Sequence, residues 1–300
     1  MEYIKVEDSF PRLSGTAVTI GKFDGLHRGH RRLVDKILEK KEQGLKSLLF
    51  AIDVSDRFIL TRDERARFLE EKGLDYLVEC PLSDWLRRTR AEAFIREILA
   101  GAFGAGYVAV GEDYRFGYER RGNGTMLEKA GHRYGFDVEI VPHEMDGRRK
   151  ISSTYVREEL LKGNMEKVAF LMGSAYYTDG EVVHGRGLGH KALLPTINVR
   201  PPREKLLPPD GVYVTCTRFP GGEWRGITNI GFKPTVGGET APGIETFLFD
   251  CDSDLYGQPC TTEFLHFIRP EQRFSSLEAL RTRQKADLAA AKAWVEDESH

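Results

Sequence analysis

At 300 residues the chain exceeds what one small core needs and suits two domains. Its 40% hydrophobic and 30% charged residues are ordinary for a globular protein, and a formal net charge of −2 provides no basic field for gripping long nucleic acid, though small anionic substrates remain open. Four scattered cysteines (Cys80, Cys216, Cys251, Cys260) without a C-x-x-C pair argue against a zinc site or a disulfide framework; no apolar run approaches the ~20 residues that span a bilayer, and M-E-Y-I-K-V-E-D-S-F is neither signal nor transit peptide, so a cytoplasmic protein is expected.

Thr16–Ile20 alternates around β-branched residues and predicts a buried strand. Gly21, Gly25 and Gly29 then punctuate a turn, and from Arg31 the run R-R-L-V-D-K-I-L-E-K takes helical spacing, with Leu33, Val34, Ile37 and Leu38 on one face. A strand that enters a helix through a glycine-rich turn offers unpaired N–H groups and a positive dipole end to phosphate. His27 and His30 stand at its mouth, where imidazole N–H groups stabilise charge building on a phosphate under attack. A zinc pair or two solvated histidines are the blander alternatives, and zinc would need ligands that do not lie nearby in sequence.

Further strands are predicted at Ser47–Ile52, Tyr76–Val78, Tyr107–Val110 and Phe136–Val141. Between them come helices opened by the capping boxes Thr61-x-x-Glu64 and Thr89-x-x-Glu92, and one near Leu127–Tyr134. This alternation predicts a doubly wound parallel sheet, whose ligands sit beyond the carboxyl ends of the strands. Gly111–Asn123, G-E-D-Y-R-F-G-Y-E-R-R-G-N, is a basic, aromatic loop that composition alone reads as solvated. In I-S-S-T-Y-V-R, Ser152, Ser153 and Thr154 converge on a helix start, with Arg157 one turn in.

From about Gly173 the pattern changes to period two: E-V-V-H, T-I-N-V, G-V-Y-V-T-C-T, R-G-I-T-N-I, I-E-T-F-L-F and T-E-F-L-H-F-I. Roughly six short strands predict a small antiparallel barrel, closed by a helix over Ser275–Val295 capped by Ser275. Domains at 1–173 and 174–300 follow. G-R-G-L-G-H-K-A-L-L-P-T-I-N carries glycines that hairpins alone would explain, and Glu245 would pass for a surface residue of its strand.

The sequence G-K-F-D-G-L-H-R-G-H resembles the signature of H-x-G-H nucleotidyltransferases, in the form found in the FMN adenylyltransferase module of bacterial bifunctional riboflavin kinase/FAD synthetases. The order G-E-D-Y-R-F-G and I-S-S-T-Y-V-R is similar to that module too, with Tyr114 where the family has Phe. Pro195-Thr196-Ile197-Asn198 is similar to the riboflavin kinase P-T-x-N signature, and D-S-D-L-Y-G (Asp252 to Gly257), I-R-P-E-Q-R-F and N-I-G-F-K-P-T match the same family, the last as a structural element. His190 and Leu194 depart from the usual Arg and Phe beside it. The resemblance covers nearly the whole chain and implies a Rossmann-like adenylyltransferase domain followed by a riboflavin kinase barrel.

Residue by residue, the resemblance implies His27, His30 and Glu245 as catalytic groups, Glu245 taking the proton of the flavin ribityl hydroxyl. It implies ATP contacts at Gly21, Phe23, Gly25, Ser152, Ser153, Thr154, Arg157, Gly187 and Gly189, and flavin contacts at Asp113, Arg115, Asn123 and Arg269. Thr196 and Asn198 would serve Mg2+, with ATP as co-substrate and riboflavin and FMN as the other small-molecule partners; no nucleic acid or membrane partner is expected. Where the family carries Phe-x-Pro-His-Pro, this chain reads F-A-I-D-V-S-D-R-F, with Asp53 and Asp56. That departure motivates one alternative, a riboflavin kinase with an impaired adenylyltransferase domain; a non-catalytic flavin or nucleotide carrier is another.

Overall fold

The computed structural model describes residues 1–7, 9–53, 56–183, 196–234 and 240–298. They form two compact units, Met1–Ser153 and Thr154–His300.

In the first unit β1 (Glu2–Lys5), β2 (Thr16–Gly21), β3 (Lys46–Asp53), β4 (Tyr76–Pro81) and β5 (Ala105–Gly111) precede two-residue strands β6 (Arg115–Phe116) and β7 (Gly122–Asn123), then β8 (Asp137–Val141). Six of these make one sheet in the order β1-β4-β3-β2-β5-β8, every pairing parallel. Leu48, Leu49, Phe50 and Ala51 are all fully buried, as a parallel strand covered on both faces requires. From β2 the chain steps outward to β3 and β4, then returns to lay β5 on the other side of β2. The order therefore reverses between β2 and β5, and a doubly wound sheet opens its ligand crevice there.

Helix α1 (Arg28–Glu39) follows β2 directly and buries Val34 and Ile37; α2 (Arg62–Glu71) opens on the complete Thr61/Glu64 capping box expected from sequence. Thr89 is not an N-cap but the C-cap of the helix before it. Ser83 caps the short α3 (Asp84–Arg88), so the Thr89 hydroxyl, at that helix's end, donates back to the Trp85 carbonyl at 2.8 Å. Arg90 then leads α4 (Ala91–Ala93) with no side-chain cap, and a π-type helix, Phe94–Ala102, continues from it. Phe94, Ile98, Leu99 and Phe103 pack on Phe50 and Val108 in the core. Sequence reasoning did not anticipate β1, an edge strand on β4. Helix α5 (Gly124–Tyr134) lies before β8, and a hairpin of β9 (Met145–Asp146) and β10 (Arg149–Lys150) ends the unit.

Helix α6 (Ser153–Leu161) crosses into the second unit, where α7 (Met165–Met172) leads to a closed antiparallel barrel. Its strands are β11 (Tyr176–Val183), β12 (Ile197–Arg200), β13 (Gly211–Phe219), β14 (Gly222–Pro234), β15 (Thr240–Leu248) and β16 (Pro259–Pro270), in the order β11-β12-β15-β14-β13-β16. Most are longer than the sequence spacing suggested, 9 to 13 residues in β13 to β16. Inside, Thr215, Thr228 and Thr246 are fully buried and hydroxyl-bonded in a chain across three strands, at 2.7 and 2.8 Å. Helix α8 (Leu277–Asp297) closes the unit. Its cap is Ser276, which accepts from Ala279 N at 3.1 Å, one position later than expected because Ser276 holds the extended backbone a cap needs.

Candidate active sites

The β2–α1 turn is built by backbone in unusual conformations. Phe23 and Leu26 hold φ of 48° and 40°, left-handed values that non-glycine residues adopt at a cost of about 1–3 kcal/mol. Gly25 (φ 86°) leaves no room for a side chain, since a Cβ there would lie 2.9 Å from Ile59 Cγ2. The buried Asp24 carboxylate accepts from Ile59 N at 2.8 Å and pins the turn to the segment before α2.

This turn delivers the two histidines. His27 is the N-cap of α1, its Nδ1 accepting from His30 N at 3.3 Å. That bond puts the ring proton on Nε2, leaving an N–H donor. The two rings stack 3.7 Å apart between centroids, with Phe23 against His30 at 4.9 Å. Burial, followed by the charge of Lys150, pushes His27 down to about 3; burial, then His27, Lys150 and Arg65, hold His30 well below its ordinary value. Both imidazoles are therefore neutral at pH 7. His30 Nδ1 is enclosed and has no hydrogen-bond partner among the described residues. The Ser153 hydroxyl donates to the Asp24 carbonyl at 2.8 Å, so Ser153 lies against the turn that carries the two histidines. Ser152 precedes it in the same unit, while Thr154 and Arg157 belong to α6 in the second unit.

Beyond β5 lie the other predicted residues of this unit. Asp113 is hydrogen-bonded to Lys150 and has His143 Nε2 3.6 Å away; Arg115 donates to the Tyr114 carbonyl at 3.0 Å. Asn123 caps α5, its Oδ1 accepting from Met126 N at 2.9 Å. Tyr114 stacks on Phe116 with ring centroids 5.5 Å apart, and its buried hydroxyl lacks a partner among the described residues. Sequence reasoning passed over Lys150. It ends β10 and its charge reaches both histidines and Asp113, a placement set by a two-residue hairpin without a motif of its own.

In the barrel the Thr196 hydroxyl donates to Glu245 Oε1 at 2.7 Å. Asn198 on β12 and Asn229 on β14 both pair in register with Glu245 on β15, so the three form one cross-strand row with Cβ atoms about 5 Å apart. Asn229 lies in N-I-G-F-K-P-T, which sequence reasoning treated as structural. A cavity of about 350 Å³ opens beside Thr196, lined also by Val182, Thr246, Leu248, Asp252 and Tyr256, the size of a small-ligand site. Arg269 forks onto the buried Asp287 of α8, with its shortest bond 2.6 Å, and Arg283 joins from α8 at 2.9 Å. Gly187 and Gly189 lie outside the described residues, as do Val54 and Ser55 of the segment that replaces Phe-x-Pro-His-Pro.

Comparison with known proteins bears on both units. An FAD synthetase family model matches residues 10–155 and a riboflavin kinase family model matches residues 172–295. A bifunctional riboflavin kinase/FMN adenylyltransferase from Pseudomonas fluorescens is 35% identical over 97% of this chain and 96% of its own length. The chain belongs to that bifunctional family. The relative of the same description from Escherichia coli K12 is 35% identical over 93% of this chain and 92% of its own. A crystal structure described as a macrolide-efflux protein from Streptococcus pneumoniae matches with a TM-score of 0.86 at 27% identity, over 97% of this chain and 99% of that one. Among the described residues of this family member, no helix is long and apolar enough to cross a membrane.

Proposed function

We infer that this chain makes FAD in two ATP-dependent steps: phosphorylation of riboflavin to FMN, then adenylyl transfer to FMN with release of pyrophosphate. The observation that carries the reading is that two phosphate-handling constellations each close from segments far apart in sequence, Ser153 on Asp24 across 129 residues and Thr196 on Glu245 across 49. We assign adenylyl transfer to residues 1–173 and phosphoryl transfer to residues 174–300.

In the kinase step Glu245 removes the proton of the terminal ribityl hydroxyl, the oxygen attacks the γ-phosphorus, and ADP leaves. Thr196 and Asn198 offer a hydroxyl and an amide oxygen beside that carboxylate. These hard donors suit Mg2+, which keeps several waters and binds phosphate oxygens, and the ion would neutralise phosphate charge there. Gly187 and Gly189 cover the phosphates on the strength of the motif. In the second step an FMN phosphate oxygen attacks the α-phosphorus of ATP. Neutral imidazoles meet the charge that develops, His27 through its Nε2–H, without the desolvation cost of a buried cation. Gly21, Phe23 and Gly25 shape the phosphate turn, with Ser152, Ser153, Thr154 and Arg157 as further phosphate contacts. The flavin end is assigned to Asp113, Arg115 and Asn123 for FMN and to Arg269 for riboflavin. The cysteine thiols Cys80, Cys216, Cys251 and Cys260 suit a reducing, cytoplasmic setting.

Purified protein incubated with riboflavin and Mg·ATP, with products resolved by chromatography, tests the reading. FAD and pyrophosphate are expected; FMN alone would restrict the chain to the kinase step, and no turnover would leave a carrier.

A further inference from the structure

The left-handed residues of the β2–α1 turn need an outside support, because Phe23 and Leu26 gain nothing from that backbone by themselves. Part of the support is Asp24 on Ile59 N. Ser153 on the Asp24 carbonyl and Arg31 on the Leu26 carbonyl at 3.0 Å add to it, and a further brace comes from a side chain that no motif points to. Arg65, in the first turn of α2, is 1% exposed and donates from Nη1 to the carbonyl of Lys22 at 3.2 Å. Its Nη2 is paired with Glu79 on β4, itself 5% exposed, and Glu79 also accepts from the hydroxyl of Tyr3 on β1.

A fully buried guanidinium is costly unless its charge is paired and its donors are used. Here the payload is specific. One edge of the fork meets a carboxylate fixed by two neighbouring strands, and another meets the backbone one residue before Phe23. The Thr61/Glu64 capping box fixes where α2 starts, and so fixes the height of Arg65 against the turn. Lysine, a single point charge, cannot serve both directions.

We propose that Arg65 is a positioning residue for adenylyl transfer, tying the Lys22 carbonyl to Glu79 and so holding the turn that aims His27 and His30. The proposal rests on the assignment of adenylyl transfer to this turn. Arg65 touches no reacting atom. Its effect is on alignment, and a displacement of about 1 Å at a reacting centre costs about 100-fold in rate.

The test uses the full chain, because riboflavin phosphorylation in the second unit is an internal control on the same preparation. Arg65→Lys keeps the charge but not the fork. Arg65→Met with Glu79→Gln removes both buried charges together and so avoids stranding the carboxylate in the core. For both variants the expected result is a fall of about 100-fold in kcat for FMN to FAD, with the KM for FMN within about threefold of wild type and FMN formation unchanged. A merely structural residue would instead lower the melting temperature and reduce FAD formation only in proportion to the folded fraction, leaving kcat per folded molecule at the wild-type value. Wild-type kcat in either folded variant overturns the role of Arg65. A wild-type chain that makes FMN but no FAD overturns the assignment beneath it, and the proposal falls with it.

Discussion

The two proposed phosphate sites are built by different structural means. The β2–α1 site relies on irregular backbone: two left-handed non-glycine residues, a glycine pressed on Ile59, and imidazoles held neutral by burial. The barrel site relies on regular backbone, with Asn198, Glu245 and Asn229 aligned by strand register and Thr196 hydrogen-bonded to the middle member. In the first, geometry is stored in one turn and depends on whatever braces it. In the second, a ladder of backbone hydrogen bonds spreads the same task over many residues.

The contrast is broken most directly by Glu245→Gln. Loss of the proposed general base is expected to lower riboflavin phosphorylation about 1000-fold while FMN-to-FAD conversion stays at the wild-type rate, read by chromatography with each substrate supplied separately. Arg269→Ala is expected to lower the unfolding free energy of the barrel by about 2 kcal/mol, since Asp287, 3% exposed, loses its fork but keeps Arg283. Denaturant melts measure that loss, and the riboflavin KM on the same protein divides anchoring of α8 from direct flavin contact. His30→Ala is expected to reverse the pattern of Glu245→Gln, lowering FAD formation about 100-fold and sparing FMN formation. Loss of both activities in either folded variant would mean that the sites are not separate.

Acid should also tell the two apart. His27 is pushed down to about 3 by burial and then by Lys150, and His30 lies well below its ordinary value from burial first. The unfolded chain takes up protons near pH 6.5 that the folded first unit refuses. For His27 the stabilisation is therefore complete above pH 6.5 and is lost as pH falls from there toward about 3, at up to about 1.4 kcal/mol per pH unit, and His30 adds a loss of the same sign. Urea melts at pH 7, 6 and 5 are expected to show this slope, and His30→Gln to make it shallower. The smallest expected effect is a gain. Tyr114→Phe removes a buried hydroxyl without a partner among the described residues and should stabilise the first unit by about 1 kcal/mol in the same melts.

Much of this was legible in the sequence where local chemistry dictates the outcome. The strand–turn–helix around His27, the Thr61 capping box and the period-two strands of the barrel each depend on neighbouring residues. Ser153 beside the H-x-G-H turn, and Thr196 beside Glu245, followed from a family resemblance rather than from spacing. The misses have a common cause. Thr89 and Ser275 both match a capping pattern, but the helix after Thr89 starts from Arg90 with no side-chain cap, and Ser276 makes the cap of α8. Lys150, Asn229 and Arg65 matter through partners 37, 16 and 43 residues away, and no short motif encodes such pairings.

The hydroxyl chain inside the barrel has an evolutionary consequence. Thr215, Thr228 and Thr246 have the outline of valines, so replacing all three would preserve shape, whereas replacing the middle one strands a hydroxyl on each side. Loss of the trio one residue at a time therefore passes through an intermediate with an unpaired buried hydroxyl, which puts a stability barrier between the all-threonine and all-valine interiors.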